Sequence, residues 1–192
     1  FTVKSQSLVT TFPQLNSGGQ INSVIEDSVN NKVYVAGNFT SIGGVNRKNI
    51  ARLHHNVAAN TYSVDAGWNP VLAMNGEILS IAKYNNRIYL AGNFTSINGN
   101  TALTYLRRTD TTAGSTIDTW NAGFIGPSAS VNDLVVDGTN LYVAGNAAVY
   151  DNGGTIRYNV CSFNASTGAL NAWNPETHPN NSSMNWGSLE IV

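Results

Sequence analysis

Few side chains in this chain of 192 residues are equipped for chemistry, and their spacing assembles no reactive group. His54 and His55 are adjacent, and on a strand neighbouring side chains point to opposite faces, so they cannot act on one atom together. His178 falls in a loop, residues 174–185. The one cysteine, Cys161, sits in the apolar run NVCSF (159–163) and reads as a small buried hydrophobe. With no HExxH, no CxxC and no His/Cys cluster, no metal site and no cofactor are expected. The seven aspartates and four glutamates form no DxDxDG calcium loop. Glu26 and Asp27 are neighbours, whereas glycoside hydrolysis needs two separated carboxylates facing one sugar. A pair brought together from distant positions is the one catalytic alternative the sequence leaves open. GxSxG, P-loop and GxGxxG patterns are missing. Arg47-Lys48 and Arg107-Arg108 are isolated basic pairs without an aromatic platform, and read as solvated strand ends or loops.

Composition points the same way. The formal charge is -1 and the pI near 6.3, which argues against a simple basic surface for nucleic acid. Charged residues make up 11%, against roughly 25% in ordinary soluble domains, and 28 asparagines carry much of the polar surface with Ser, Thr and Gly. Those residues favour turns and strand faces, because Asn and Ser compete for the backbone and Gly is costly inside a helix. At 42% hydrophobic the chain can build a core. No apolar run approaches the ~18 residues of a membrane span, so no membrane insertion is expected. A single cysteine excludes an internal disulfide framework.

What must hold these residues in place is a phrase written three times: KVYVAGNF (32–39), RIYLAGNF (87–94) and NLYVAGNA (140–147). The copies begin 55 and then 53 residues apart, enough for one small sheet each. Their apolar residues do not alternate with polar ones, which predicts a strand covered on both faces. Closing aromatics recur as Phe12, Trp68, Trp120 and Trp173. Between these markers the pattern predicts a first strand (21–25, 78–82, 131–135, 186–191), a tight turn, the repeated phrase, a Gly/Asn-rich turn, a third strand (49–53, 102–106, 159–163) and a fourth ending at the aromatic. The expected fold is all-β: a β-propeller of four-stranded antiparallel blades, buried on both faces by stacking. The units are 1–20 (partial), 21–77, 78–130, 131–185 and 186–192 (partial). About three complete blades fall short of even a small closed ring of four, so the chain reads as a segment of a larger propeller.

The stretch GNFTSIGGVNRKNIARL (37–53), followed by Trp68-Asn69-Pro70, resembles the delta-60 type of β-propeller repeat, and is also similar to the propeller repeats of Rax2-like cortical polarity proteins. The second unit keeps Gly92-Asn93-Phe94-Thr95 but has Trp120-Asn121-Ala122 at its close. The third reads Gly145-Asn146-Ala147-Ala148 and restores Trp173-Asn174-Pro175. The resemblance implies a secreted or cell-surface, non-catalytic propeller and carries over no catalytic residue. SVDAGW (63–68) hints at the Asp-box of sialidase-like propellers, but it is short of that pattern and does not recur.

The repeated positions read as structural. Gly37, Gly92 and Gly145 end the buried strand where a side chain would clash with the neighbouring blade or a positive φ is needed. Asn38, Asn93 and Asn146 tie the turn that follows. Trp68, Trp120 and Trp173 suit a wedge between blades. Function is expected on the face carrying the links after the second and fourth strands (40–48, 69–77, 95–101, 121–130, 146–157, 174–185), which differ from blade to blade. Met74, Phe124, Tyr150 and His178 are its candidate contacts. The chain is expected to be an extracellular protein-interaction or structural module, its partner another protein, a cell-surface component or the rest of its own propeller. The alternative is a carbohydrate-binding or carbohydrate-active propeller using the same face. Sequons at Asn38, Asn93, Asn164, Asn180 and Asn181 matter only in a glycosylating pathway.

Overall fold

The computed structural model describes residues 11–114, 116–150 and 154–175, and every regular element among them is a β-strand. The first blade is an antiparallel meander of β1 (Gln20–Asp27), β2 (Lys32–Asn38), β5 (Ile50–Asn56) and β6 (Thr61–Val64). Between its second and third strands a small hairpin, β3 (Ser41–Ile42) and β4 (Val45–Asn46), stands off the sheet. The second blade is β7 (Ile78–Tyr84), β8 (Arg87–Gly92) and β9 (Leu106–Asp110). The third is β10 (Phe124–Asp137), β11 (Asn140–Tyr150) and β12 (Ile156–Asn164). In the last two blades the expected fourth strand is reduced to single bridges, Thr109 with Ile117 and Phe163 with Leu170. The architecture is that of β-propeller blades stacked face to face. The expected inner strand at 186–191 lies outside the described residues.

The repeated phrase is the middle of each sheet, and its alternation sorts the two apolar faces. Val33 and Val35 belong to a core with Phe39, Ile42 and Leu53, onto which Phe12 and Leu15 fold. Tyr34 and Ala36 point the other way, into a core shared with Ile88 and Leu90 of the second blade. Tyr89 and Ala91 in turn meet Leu141 and Val143 of the third. The middle strand β8 is therefore interior on both sides because each side belongs to a different seam.

Every inner strand carries a bulge at the same place, between Ile21 and Ser23, Ile78 and Ser80, and Val131 and Asp133. Opposite it stand Gly37, Gly92 and Gly145. The extra residue bends the inner strand over the glycine. A Cβ there would lie 2.1 Å from the Gln20 carbonyl oxygen, 2.0 Å from that of Glu77 and 2.2 Å from that of Ser130. The clash is with the blade's own first strand, not with the neighbouring blade, and none of the three glycines has a positive φ. The bulge also turns a polar side chain toward the next blade: the Ile81 amide donates to Ser23 Oγ (3.2 Å) and the Leu134 amide to Ser80 Oγ (3.2 Å).

The third strands of the first two blades begin after a residue at positive φ, Asn49 (63°) and Tyr105 (53°), whereas in the third blade Asn159 (62°) lies within β12, where its register with β11 shifts. In the second blade this corrects the sequence expectation of a strand over 102–106. Tyr105 is the equivalent of Asn49, its left-handed conformation breaks the strand, and β9 starts only at Leu106.

Candidate functional site

The links after the second and fourth strands of the first blade, residues 40–48 and 69–77, lie side by side on one face. Thr40, Asn46, Arg47, Lys48, Asn69, Val71 and Leu72 enclose a pocket of about 420 Å³ between them. Its walls are fixed by asparagine amides. Asn16 Oδ1 accepts from the amides of Thr40 (2.7 Å) and Ser41 (3.2 Å). Asn98 Oδ1 accepts from Leu72 (2.7 Å) and Ala73 (3.0 Å), while its Nδ2 donates to the Pro70 carbonyl (3.0 Å). The tip of the β3–β4 hairpin turns through Gly43 and Gly44, at φ 57° and 75°.

Arg47 is 6% exposed, not the solvated loop residue its sequence position suggested. Its Nη1 donates to the Asn46 carbonyl (2.7 Å) and its Nη2 to those of Asp65 (2.9 Å) and Ala66 (3.2 Å), which braces the approach to Trp68. Burial draws the Arg47 guanidinium below its ordinary pKa, against the pull of the Asp65 charge. All three acceptors are neutral carbonyls, and Nε is buried with no partner. Across the pocket Asn69 Oδ1 is likewise buried and unpaired. A donor and an acceptor are thus held dry beside one cavity, each forgoing a bond worth about 1–3 kcal/mol.

Two of the four expected contact residues, Met74 and Phe124, pack against the core. Met74 is 8% exposed and packs in the seam between the first two blades, its sulfur 3.5 Å from Asn49 Nδ2. Phe124 is half-buried against Phe163, ring centroids 6.4 Å apart. Met74 lies within its link and Phe124 opens β10, and both pack into the apolar clusters of the stacked blades. Tyr150 ends β11 opposite Ile156, and His178 lies outside the described residues. Of the repeated asparagines, Asn93 accepts from the Glu77 amide (2.9 Å), just ahead of its blade's first strand rather than in the turn that follows it, while Asn38 is exposed and Asn146 half-buried.

The tryptophans and their neighbours form a second constellation. Tyr34 meets Trp68 edge to face at 5.2 Å, Tyr89 meets Trp120 at 5.5 Å, and Tyr142 meets Trp173 at 5.2 Å. Arg52 lies over Trp68 and Arg108 over Trp120, centroids 5.4 and 5.0 Å away. Each arginine also pairs with an aspartate just upstream of its tryptophan, Arg52 Nη2 with Asp65 at 2.8 Å and Arg108 Nε with Asp118 at 2.5 Å. The third blade substitutes Ser162 and Asn171 for that pair, 3.1 Å apart.

Asp65 additionally gathers His54 (3.1 Å) and Lys32 (3.6 Å). Its burial would raise the carboxyl pKa, but Arg52, the Gly67 amide and His54 together hold it below the usual carboxylate value. His55 turns to the opposite face and stacks on Tyr62 at 4.4 Å. The cluster brings one carboxylate against three basic groups, which is the arrangement of a strut rather than of an acid–base pair.

A family model described as a beta-propeller domain of unknown function (DUF5122) matches residues 30–56. The matched stretch takes in β2, the β3–β4 hairpin and β5, and includes four of the pocket residues, Thr40, Asn46, Arg47 and Lys48. No curated protein sequence matches the chain.

Proposed function

We infer that this chain is a non-catalytic propeller module of the delta-60 or Rax2-like kind, working outside the cell or on its surface, with the pocket-bearing loop face as its binding face. The observation that carries this reading is the contrast between the two ends of the blades. At one end the links are tight turns (28–31, 85–86, 138–139) that merely reverse the chain. At the other, unequal links hold a preorganised pocket with unspent polar atoms, and scaffolds place binding groups in such links. The partner is a protein or another cell-surface component. Neither nucleic acid nor a lipid bilayer fits a face whose one basic pair is half spent on bracing carbonyls.

The test is retention of the labelled chain on intact cells of its source. Lys48→Glu changes a half-buried and Leu72→Asp an exposed position on the binding face, and Val29→Asp changes an exposed position at the opposite end. The first two should reduce retention at least about tenfold, a loss of ~1.4 kcal/mol, with Val29→Asp without effect. Equal retention of all three variants would remove the assignment of the face.

A further inference from the structure

The geometry points to an acidic monosaccharide unit, a uronic acid, as the occupant of the pocket formed by Arg47, Lys48, Asn69 and Leu72. The inference rests on the reading of this face as the binding face and names its ligand class.

Four observations lead there. The first is charge: two of the seven lining residues are basic and none is acidic. The equivalent link of the second blade, TSINGNT (95–101), carries no charge at all, so the basic pair is particular to this site on a repeated frame. The second is the unmade bonds. Arg47, itself more than nine-tenths buried, keeps a free Nε, and Asn69 a free Oδ1. Both atoms belong to residues that line the pocket, and a carboxylate and a ring hydroxyl are the acceptor and the donor that they lack. The third is the apolar share. Val71 is buried and Leu72 is 72% exposed beside the polar groups, which suits the C–H face of a pyranose. The volume, about 420 Å³, lies in the range of roughly 300–1,000 Å³ usual for small-ligand sites.

The fourth observation separates a sugar from an acidic peptide. A bound peptide gains much of its affinity by main-chain pairing with exposed backbone. Here much of the backbone is already used. The Thr40 amide is held by Asn16 and its carbonyl by the Arg47 amide (3.1 Å). Asn98 takes the Pro70 carbonyl and the Leu72 amide, and Arg47 Nη1 takes the Asn46 carbonyl. What remains unpaired among the lining groups are the side-chain atoms Arg47 Nε and Asn69 Oδ1.

The experiment titrates the whole chain with galacturonate, glucuronate, galactose and an N-acetylated glutamyl amide, following backbone amide shifts by NMR. A uronate should perturb residues 40–48 and 69–72, with galactose binding at least about tenfold more weakly because it lacks the carboxylate. Lys48→Gln and Asn69→Ala should each weaken the uronate severalfold at unchanged melting temperature, since neither residue's side-chain tip makes a bond the fold needs. No perturbation of those residues by either uronate, equal binding of galactose, or preference for the glutamyl amide would each overturn the proposal. If the uronates fail while cell retention still depends on Lys48 and Leu72, the sugar assignment falls and the binding face stands. If they bind while retention is indifferent to both residues, the sugar site stands without that face as the surface anchor.

Discussion

The indole nitrogen of Trp68 lies 2.9 Å from the carbonyl oxygen of Asp110, across the seam between the first and second blades. Trp120 repeats the bond to Gly168 of the third blade at 3.0 Å. Between these two carbonyl-bound rings, each seam is closed by one large side chain that is apolar around its body and polar at a single point.

Trp68 is fully buried, and Trp68→Ala should cost about 3–5 kcal/mol, the range for emptying a large aromatic from a core. Trp68→Phe keeps most of the area but loses the hydrogen bond, about 0.5–1.5 kcal/mol before repacking. Trp173 is 42% exposed, so Trp173→Ala should cost less than half of the Trp68 value. Urea titrations of the three variants give the comparison, and equal losses at Trp68 and Trp173 would contradict the seam account.

Gly92→Ala places a methyl group 2.0 Å from the Glu77 carbonyl oxygen, which is backbone and cannot swing away. The expected loss is at or above the upper end of the ~1–3 kcal/mol of overpacked cores. Gly114 also has a backbone reason to be glycine, φ 73°, but a Cβ there meets nothing. Gly114→Ala should therefore cost only the left-handed penalty of about 1–2 kcal/mol. Matched denaturation curves of the two variants test the order, and a Gly114 variant weaker than the Gly92 variant would reverse it.

Acid should weaken the fold through Asp65 and Asp27. Burial raises both carboxyls; Arg52 outweighs it at Asp65, and Asn30 with Lys83 at Asp27, so both sit below their ordinary values. A folded-state pKa below the unfolded one of about 3.9 gives stability that is complete above that value and lost as pH falls through the folded pKa. Melting temperatures should hold from pH 7 to 5 on this account and fall below about pH 4. Asp65→Asn leaves Arg52 buried without its carboxylate, and should cost roughly 3–5 kcal/mol at pH 7 while flattening the acid limb. An unchanged acid limb in that variant would show that the cluster is not the proton-linked group.

Cys161 is 2% exposed, and burial pushes its thiol up to about 12. The thiolate is the reactive form, so the native chain should resist aromatic disulfide reagents at neutral pH and react in urea with the unfolding transition. Fast labelling of the folded chain would refute the burial.

The frame was legible because repetition exposes it. The thrice-written phrase gave its strands, and the regular aromatics gave the seams, since packing between blades asks for the same residue each time. The second blade's third strand was not legible: a tyrosine in left-handed conformation at 105 has no sequence signature, whereas asparagine at 49 and 159 does. Met74 and Phe124 misled for a related reason. A large apolar residue in a variable link looks like a contact, but in a stacked sheet the seam claims it first. The pocket eluded the sequence because its key group, Arg47, reads as a surface charge. Only the fold shows that it is buried with its guanidinium turned to the Asp65 and Ala66 carbonyls.

Among the described residues, the bonds that tryptophan, tyrosine and arginine side chains make across the seams run one way along the chain, while the amides of Ile81 and Leu134 donate in the opposite sense. Trp68, Arg52, Trp120, Tyr89 and Arg87 donate to carbonyls of the blade that follows. In these large side chains the stack therefore has a polarity, each blade supplying the carbonyls that its predecessor's donors need. Damage to one blade strips the donors of the one before it, and so loosening should spread toward lower residue numbers, giving amide exchange that is asymmetric about any lesion.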